Sequence, residues 1–279
     1  MPTVMPAVLI LYGSGGSVQA RLEYGWRWLS TGACLAAFGI SGLLFSLVLF
    51  PLGLLWPHKA SRTRAVTRLI HLFFRFLIAT LQCLGVMTLE VQGRALLAQK
   101  RPLVVIANHP TWLDVMVLLS LMPSACCVVK NAHWRNPCFW GIVRAAEYIS
   151  NAEPTELIAA GVERLGAGYS LIIFPEGTRS KANGTLHPFS RGFAYLALTG
   201  STAVQPVLLE CTPLAFGKHQ RWFHIPDRPF CMRVVVLDQI CADDWVDAGM
   251  PGPIAARTLT QAMQLHISKQ LSEYGFSQT

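Results

Sequence analysis

His109 and Asp114 stand five positions apart in the run Ala107-Asn108-His109-Pro110-Thr111-Trp112-Leu113-Asp114. Imidazole is the side chain suited to taking up and releasing a proton near neutral pH. A carboxylate bonded to one ring nitrogen fixes which nitrogen does so. Spacing alone does not bring the two together: at about 100° per residue, five positions on a regular helix leave roughly 140° between side chains. They meet only if His109 lies just outside a helix that starts near Pro110 or Thr111. Proline is tolerated in such a first turn because its missing N–H has no partner there. A base oriented in this way, without a serine nucleophile beside it, activates a hydroxyl that a substrate brings. Taken alone, the pair fits better a strand end followed by an acid in a solvated first helical turn.

A second cluster, Phe174-Pro175-Glu176-Gly177-Thr178-Arg179-Ser180, changes that balance. Gly177 permits a tight turn and close approach of backbone to a ligand. Thr178 and Ser180 offer hydroxyls, and Arg179 can grip a phosphate through two parallel hydrogen bonds. Glu176 either accepts from a substrate hydroxyl or holds Arg179. Each cluster follows an apolar run, Leu103-Val104-Val105-Ile106 and Leu171-Ile172-Ile173, that reads as a buried strand. Two polar clusters at the ends of two strands point to one active site.

The elements that must position them alternate along the chain. Strands are predicted at 88–91, 103–107, 126–129, 171–174, 204–209 and 232–237. Helices are predicted at 111–121, 137–146, 154–165, 192–198 and 253–274. This order specifies an α/β domain, a mixed and largely parallel sheet flanked by helices.

The two clusters resemble the His-x4-Asp and Phe-Pro-Glu-Gly-Thr-Arg-Ser motifs of the glycerolipid acyltransferase family, which includes 1-acyl-sn-glycerol-3-phosphate and other lysophospholipid acyltransferases. Lys130, Pro137, Gly141, Phe189, Arg191 and Gly192 add to the likeness, as does Val204-Gln205-Pro206-Val207, similar to a Val-Pro-Val strand. It covers about residues 85–240. The resemblance implies that His109, oriented by Asp114, deprotonates an acceptor hydroxyl that attacks the thioester of acyl-CoA or an acyl carrier protein. It further implies that Glu176, Gly177, Thr178 and Arg179 bind the acceptor, that Lys130 adds positive charge, and that Pro206 is structural on the acyl side. No metal or cofactor is implied beyond the acyl thioester as co-substrate. One departure stands out. Where the family has an arginine associated with glycerol phosphate, this chain reads Tyr148-Ile149-Ser150-Asn151. Either Arg144 compensates or the acceptor is another lipid, such as a lyso-ornithine lipid or a polyene or pigment headgroup. A thioesterase acting on the same donors and a non-catalytic lipid-binding scaffold are the readings from other classes.

Composition places this chemistry at a membrane. The 279 residues are 52% hydrophobic and only 14% charged, against about 25% charged in an average soluble domain. No charge occurs from Leu29 to Pro57. Residues 29–50 alone match the ~30 Å hydrocarbon core, with Pro51 and Gly53 expected to end the helix. Trp26, Trp28 and Trp56 flank the segment as interfacial aromatics do. Lys59, Arg62, Arg64 and Arg68 follow it, which puts the bulk of the chain on the cytoplasmic side of the cytoplasmic membrane. The expected organisation is a tail and membrane helix or helical hairpin over 1–60, an interfacial or linker helix over 61–86, and an acyltransferase domain over 87–279. Residues 13–17 are glycine-rich and belong to a flexible tail. The net charge of +8 suits anionic lipid or an anionic substrate; without a dense basic run, no nucleic-acid partner is expected. Eight cysteines without Cys-x-x-Cys spacing read as small buried residues in a reducing compartment. No pattern specifies an oligomeric state.

Overall fold

The computed structural model describes residues 18–276 apart from 100, 132, 133, 135, 182–184, 222 and 248. The glycine-rich residues 13–17 lie outside it. Seven strands form one sheet: β1 Met87–Gln92, β2 Val104–Ala107, β3 Ala125–Val129, β4 Ile149–Ser150, β5 Ser170–Ile173, β6 Val204–Thr212 and β7 Phe230–Val236. Their spatial order is β1-β7-β6-β2-β5-β3-β4. Every neighbouring pair is parallel except β6 with β7. β2 and β5 are buried at every residue, which is why they read as unbroken aliphatic runs rather than alternating ones.

The helices are α1 Val18–Leu44, α2 Phe50–Leu54, α3 Lys59–Cys83, α4 Arg94–Leu97, α5 Asp114–Leu121, α6 Pro137–Ala145, α7 Pro154–Gly166, α8 Gly192–Thr199 and α9 Gly252–Glu273. The chain crosses the sheet in one direction through α5 and α6 and returns through α7 and α8. Right-handed crossovers therefore put these two pairs on opposite faces. α9 joins α8 on its face, while α1 and α3 pack outside α6 and α5. The active-site clusters thus come from the carboxyl ends of adjacent strands, where open α/β sheets bind ligands.

The start of α5 and the course of the N-terminal helix differ from the sequence expectation, and α4 and β4 are not among the expected elements. Asp114, and not Thr111, opens α5. The N-terminal helix begins at Val18 and continues past Pro51 and Gly53. Arg27 does not stop it because its guanidinium donates to the carbonyls of Pro226 (3.1 Å) and Asp227. Trp26 Nε1 donates to Leu84 O at 3.0 Å. Ahead of Pro51, residues Phe45–Leu49 widen into a π-helical turn and Phe50 N–H reaches Phe45 O. Proline then falls in a fresh first turn, where its missing donor costs nothing.

The helical hairpin is fixed to the domain while keeping an oily surface. His71 Nδ1 on α3 donates to Leu119 O on α5 at 2.8 Å. Gly141 on α6 abuts the π-helical turn so closely that an added Cβ would sit 2.4 Å from Ser46 Cα. Leu29, Ile40, Leu47, Leu69, Leu72 and Phe76 nonetheless stay exposed. Val18–Leu49 and Lys59–Cys83 are each long and apolar enough to cross a bilayer, with mean hydropathies of 2.1 and 1.3.

Candidate active site

β2 ends at Ala107 and α5 begins at Asp114, so His109 occupies the turn between them. His109 Nδ1 donates to Asp114 Oδ2 at 2.8 Å. The carboxylate is anchored twice more: Thr111 N–H donates to Oδ2 (2.8 Å) and Thr111 Oγ1 to Oδ1 (2.7 Å). Asp114, the first residue of α5, thus reaches back to the turn ahead of the helix and is held there by both donors of Thr111. Asp114 is wholly buried and the His109 side chain 16% exposed. With the proton placed on Nδ1, Nε2 carries the lone pair and has no protein partner among the described residues. The His109 ring stacks on Phe174, the first residue after β5, with centroids 4.1 Å apart.

Glu176 sits apart from the cleft lining. It is 8% exposed. Its Oε1 accepts from His109 N–H (3.2 Å) and from Ser180 Oγ, and its Oε2 accepts from His187 N–H (2.8 Å). Ser180 completes the clasp, its N–H donating to His109 O at 2.7 Å. A buried carboxylate must be met by donors, and here they are the backbone N–H groups of His109 and His187 and the Ser180 hydroxyl. Glu176 ties the two loops together.

Above this clasp opens a cleft of about 570 Å³. His109, Trp112 and Phe174 line it, together with Gly177, Thr178 and Arg179 from the second cluster and Lys130 from the end of β3. Val115, Val128, Val129, Leu157, Ile173 and Phe193 make an apolar wall. Gly177 takes φ +64°, a left-handed conformation that glycine adopts without cost. Asn151 lines the cleft and Arg144 does not; its guanidinium stacks over Trp140 at 5.0 Å, so it supplies no substitute charge. Instead Lys218 and His219, from the long connection between β6 and β7, enter the lining. No spacing in the sequence marks these two. Pro206 pairs with Ile106 inside the sheet and does not line the cleft. Its carbonyl accepts from Leu237 N–H at 3.1 Å, so its missing donor faces the end of β7 and spares the ladder to β2.

Trp112 belongs to two places. It lines the cleft, and it also meets Phe38 and Phe216 at 6.0 and 5.7 Å along a narrow apolar seam between α1, α3 and α5. The thiols of the sheet are unsuited to nucleophilic work. Burial pushes Cys126 up to about 12 and Cys127 well above the ordinary thiol range, and the thiolate is the reactive form.

Comparison with known proteins bears on this geometry. The family model described as Acyltransferase matches residues 88–210, which contain both clusters. A 1-acyl-sn-glycerol-3-phosphate acyltransferase of Limnanthes alba is 30% identical over 220 residues, covering 76% of this chain and 73% of the relative. The chain belongs to the glycerolipid acyltransferase family. The human 1-acyl-sn-glycerol-3-phosphate acyltransferase beta is 28% identical to this acyltransferase over 199 residues, 67% of this chain and 68% of that one. The crystal structure of the 1-acyl-sn-glycerophosphate (LPA) acyltransferase PlsC from Thermotoga maritima superposes with a TM-score of 0.63. That match covers 91% of this acyltransferase and 97% of the other at 17% identity, a likeness of fold. The sheet, the flanking helices and the N-terminal apolar helix of the acyltransferase agree with the expected architecture.

Proposed function

We propose that this acyltransferase moves a fatty acyl group from the thioester of acyl-CoA or an acyl carrier protein to the hydroxyl of a lysophospholipid such as 1-acyl-sn-glycerol 3-phosphate. The observation that carries the reading is the 2.8 Å His109–Asp114 contact at the wall of a cleft whose charged lining side chains are Lys130, Arg179 and Lys218. Among the described residues no carboxylate lines that cleft, so it suits an anionic acceptor. The family's named relatives support the same acceptor.

In the proposed step the acceptor hydroxyl gives its proton to His109 Nε2 as its oxygen attacks the thioester carbonyl. The tetrahedral intermediate collapses, the C–S bond breaks, and the leaving thiolate takes the proton back from Nε2. Asp114 remains ionised and keeps the ring in one tautomer and one orientation. The chain's further contribution is position: two substrates held in one cleft react as if at very high mutual concentration. The scheme invokes no metal or prosthetic group.

The site of action in this reading is the cytoplasmic face of the cytoplasmic membrane. Support comes from the exposed apolar side chains of α1 and α3 and from the basic residues Lys59, Arg62, Arg64 and Arg68. Product analysis with labelled acyl donor, run with and without lysophosphatidate, tests the reaction. Labelled phosphatidate formed only with acceptor supports acyl transfer, whereas free fatty acid in both reactions replaces it with thioester hydrolysis.

A further inference from the structure

Beside Lys130 the neutral Asn151 adds no second cation to the cleft, and a turn built in unusual detail reaches the lining from the connection between β6 and β7. Arg179 Nη1 donates to the carbonyls of Phe216 (3.0 Å) and Gly217 (2.9 Å), and Nη2 donates to Lys218 O at 3.3 Å. Three consecutive carbonyls are thus gathered by one guanidinium. Gly217 N–H is answered by Gln220 Oε1 at 2.8 Å. Phe216 takes φ +59°, a conformation costly for a bulky residue and kept only where its surroundings impose it. Here they do: Phe216 is buried, with its ring edge-on to Trp112 at 5.7 Å and to Phe230 at 6.0 Å. The turn is fixed on both sides, and it delivers Lys218 and His219 into the cleft lining.

A guanidinium has five donors. The three loop carbonyls use both hydrogens of Nη1 and one of Nη2. Nε and the second Nη2 hydrogen stay without a partner among the described residues. We propose that the turn 216–220 is the headgroup clamp of this acyltransferase. Arg179 grips the turn with one edge and the acceptor's anionic group with the other, and Lys218 supplies the positive charge that Asn151 lacks. This inference rests on the reading above and names the group that selects an anionic acceptor. Arg179 is then a positioning residue as well as a binding one, and Lys218 a specificity determinant that no short motif contains.

The test is steady-state kinetics of the full-length protein in phosphatidylcholine–phosphatidylglycerol vesicles, with lysophosphatidate or uncharged 1-monoacylglycerol as acceptor. Lys218→Ala raises the KM for lysophosphatidate by roughly 10–100-fold, the loss expected for one charge-assisted contact. The KM for acyl donor and for monoacylglycerol stay within about threefold of wild type, and adding Asn151→Arg recovers most of the loss. An unchanged lysophosphatidate KM in an active Lys218→Ala protein overturns the clamp alone, as does an equal rise for both acceptors. A failure of Asn151→Arg to recover any of the loss overturns the stand-in role. A wild-type protein that never acylates lysophosphatidate overturns the proposed function, and the clamp with it.

Discussion

Asp114 and Glu176 are two buried carboxylates that both bond to His109, one five and the other 67 residues away in sequence, and they spend their oxygens differently. Asp114 gives one oxygen to the His109 ring and shares the remainder with Thr111. Glu176 touches no ring and no cleft; it accepts from the backbone of His109 and His187 and from the Ser180 hydroxyl. One carboxylate bonds the imidazole ring and the other the backbone that carries it; in the proposed mechanism the first sets the state of the proton carrier and the second its place. Two acids in two motifs of one site therefore need not share a chemical task, and burial with a list of donors distinguishes them.

Mutation separates the two roles. His109→Ala should lower kcat by about 10²–10⁴-fold, the range for removal of a general base, with melting temperature near wild type; a variant that keeps its turnover removes the base. Asp114→Asn follows with a loss of up to about 10⁴-fold, because an amide leaves the ring free to take the wrong tautomer. Its signature is a fall in kcat with substrate KM values held, so a KM-only effect would move Asp114 into binding. Glu176→Ala should act first on stability: each donor stranded in the interior costs about 1–3 kcal/mol, read as an earlier denaturant midpoint. If Glu176→Ala abolishes turnover while the midpoint stays put, the contrast with Asp114 fails.

The smallest effect uses a thiol as reporter. Cys211 is raised to about 12, first by burial and in smaller part by the charge of Asp114. Iodoacetamide at pH 8 should label exposed Cys241 and spare Cys211 in both wild type and Asp114→Asn, as peptide mass spectrometry would show. Labelling of Cys211 in the Asn variant would mean that Asp114 holds packing together and not only the imidazole.

Much of this site was legible from sequence because its pieces lie at the ends of fully buried strands. β2 and β5 were readable as aliphatic runs, and the histidine, the aspartate and the second cluster follow them directly. What escaped reading came from contacts distant in sequence. Arg179 marks its partners 216–218 only once the fold brings them near. β4, two residues long, is too short to carry a pattern, and α4 occupies a single turn. The tie of Glu176 to His109, 67 residues away, likewise shows only when the fold brings the two loops together. The continuation of the N-terminal helix past Pro51 depended on a π-helical turn that no local propensity announces.

The place of β1 has a consequence in time. It lies at the edge of the sheet with β7 as its single neighbour, Met87 opposite Phe230 and Gln92 opposite Val235. The strand that leaves the helical hairpin therefore waits, during synthesis, for a partner made near the end of the chain. Such long-range parallel pairing is slow and exposes a strand edge meanwhile. Ribosome-bound chains that stop before residue 230 should hold the hairpin and an unpaired β1 together, a form prone to aggregate, and completing β7 closes that interval.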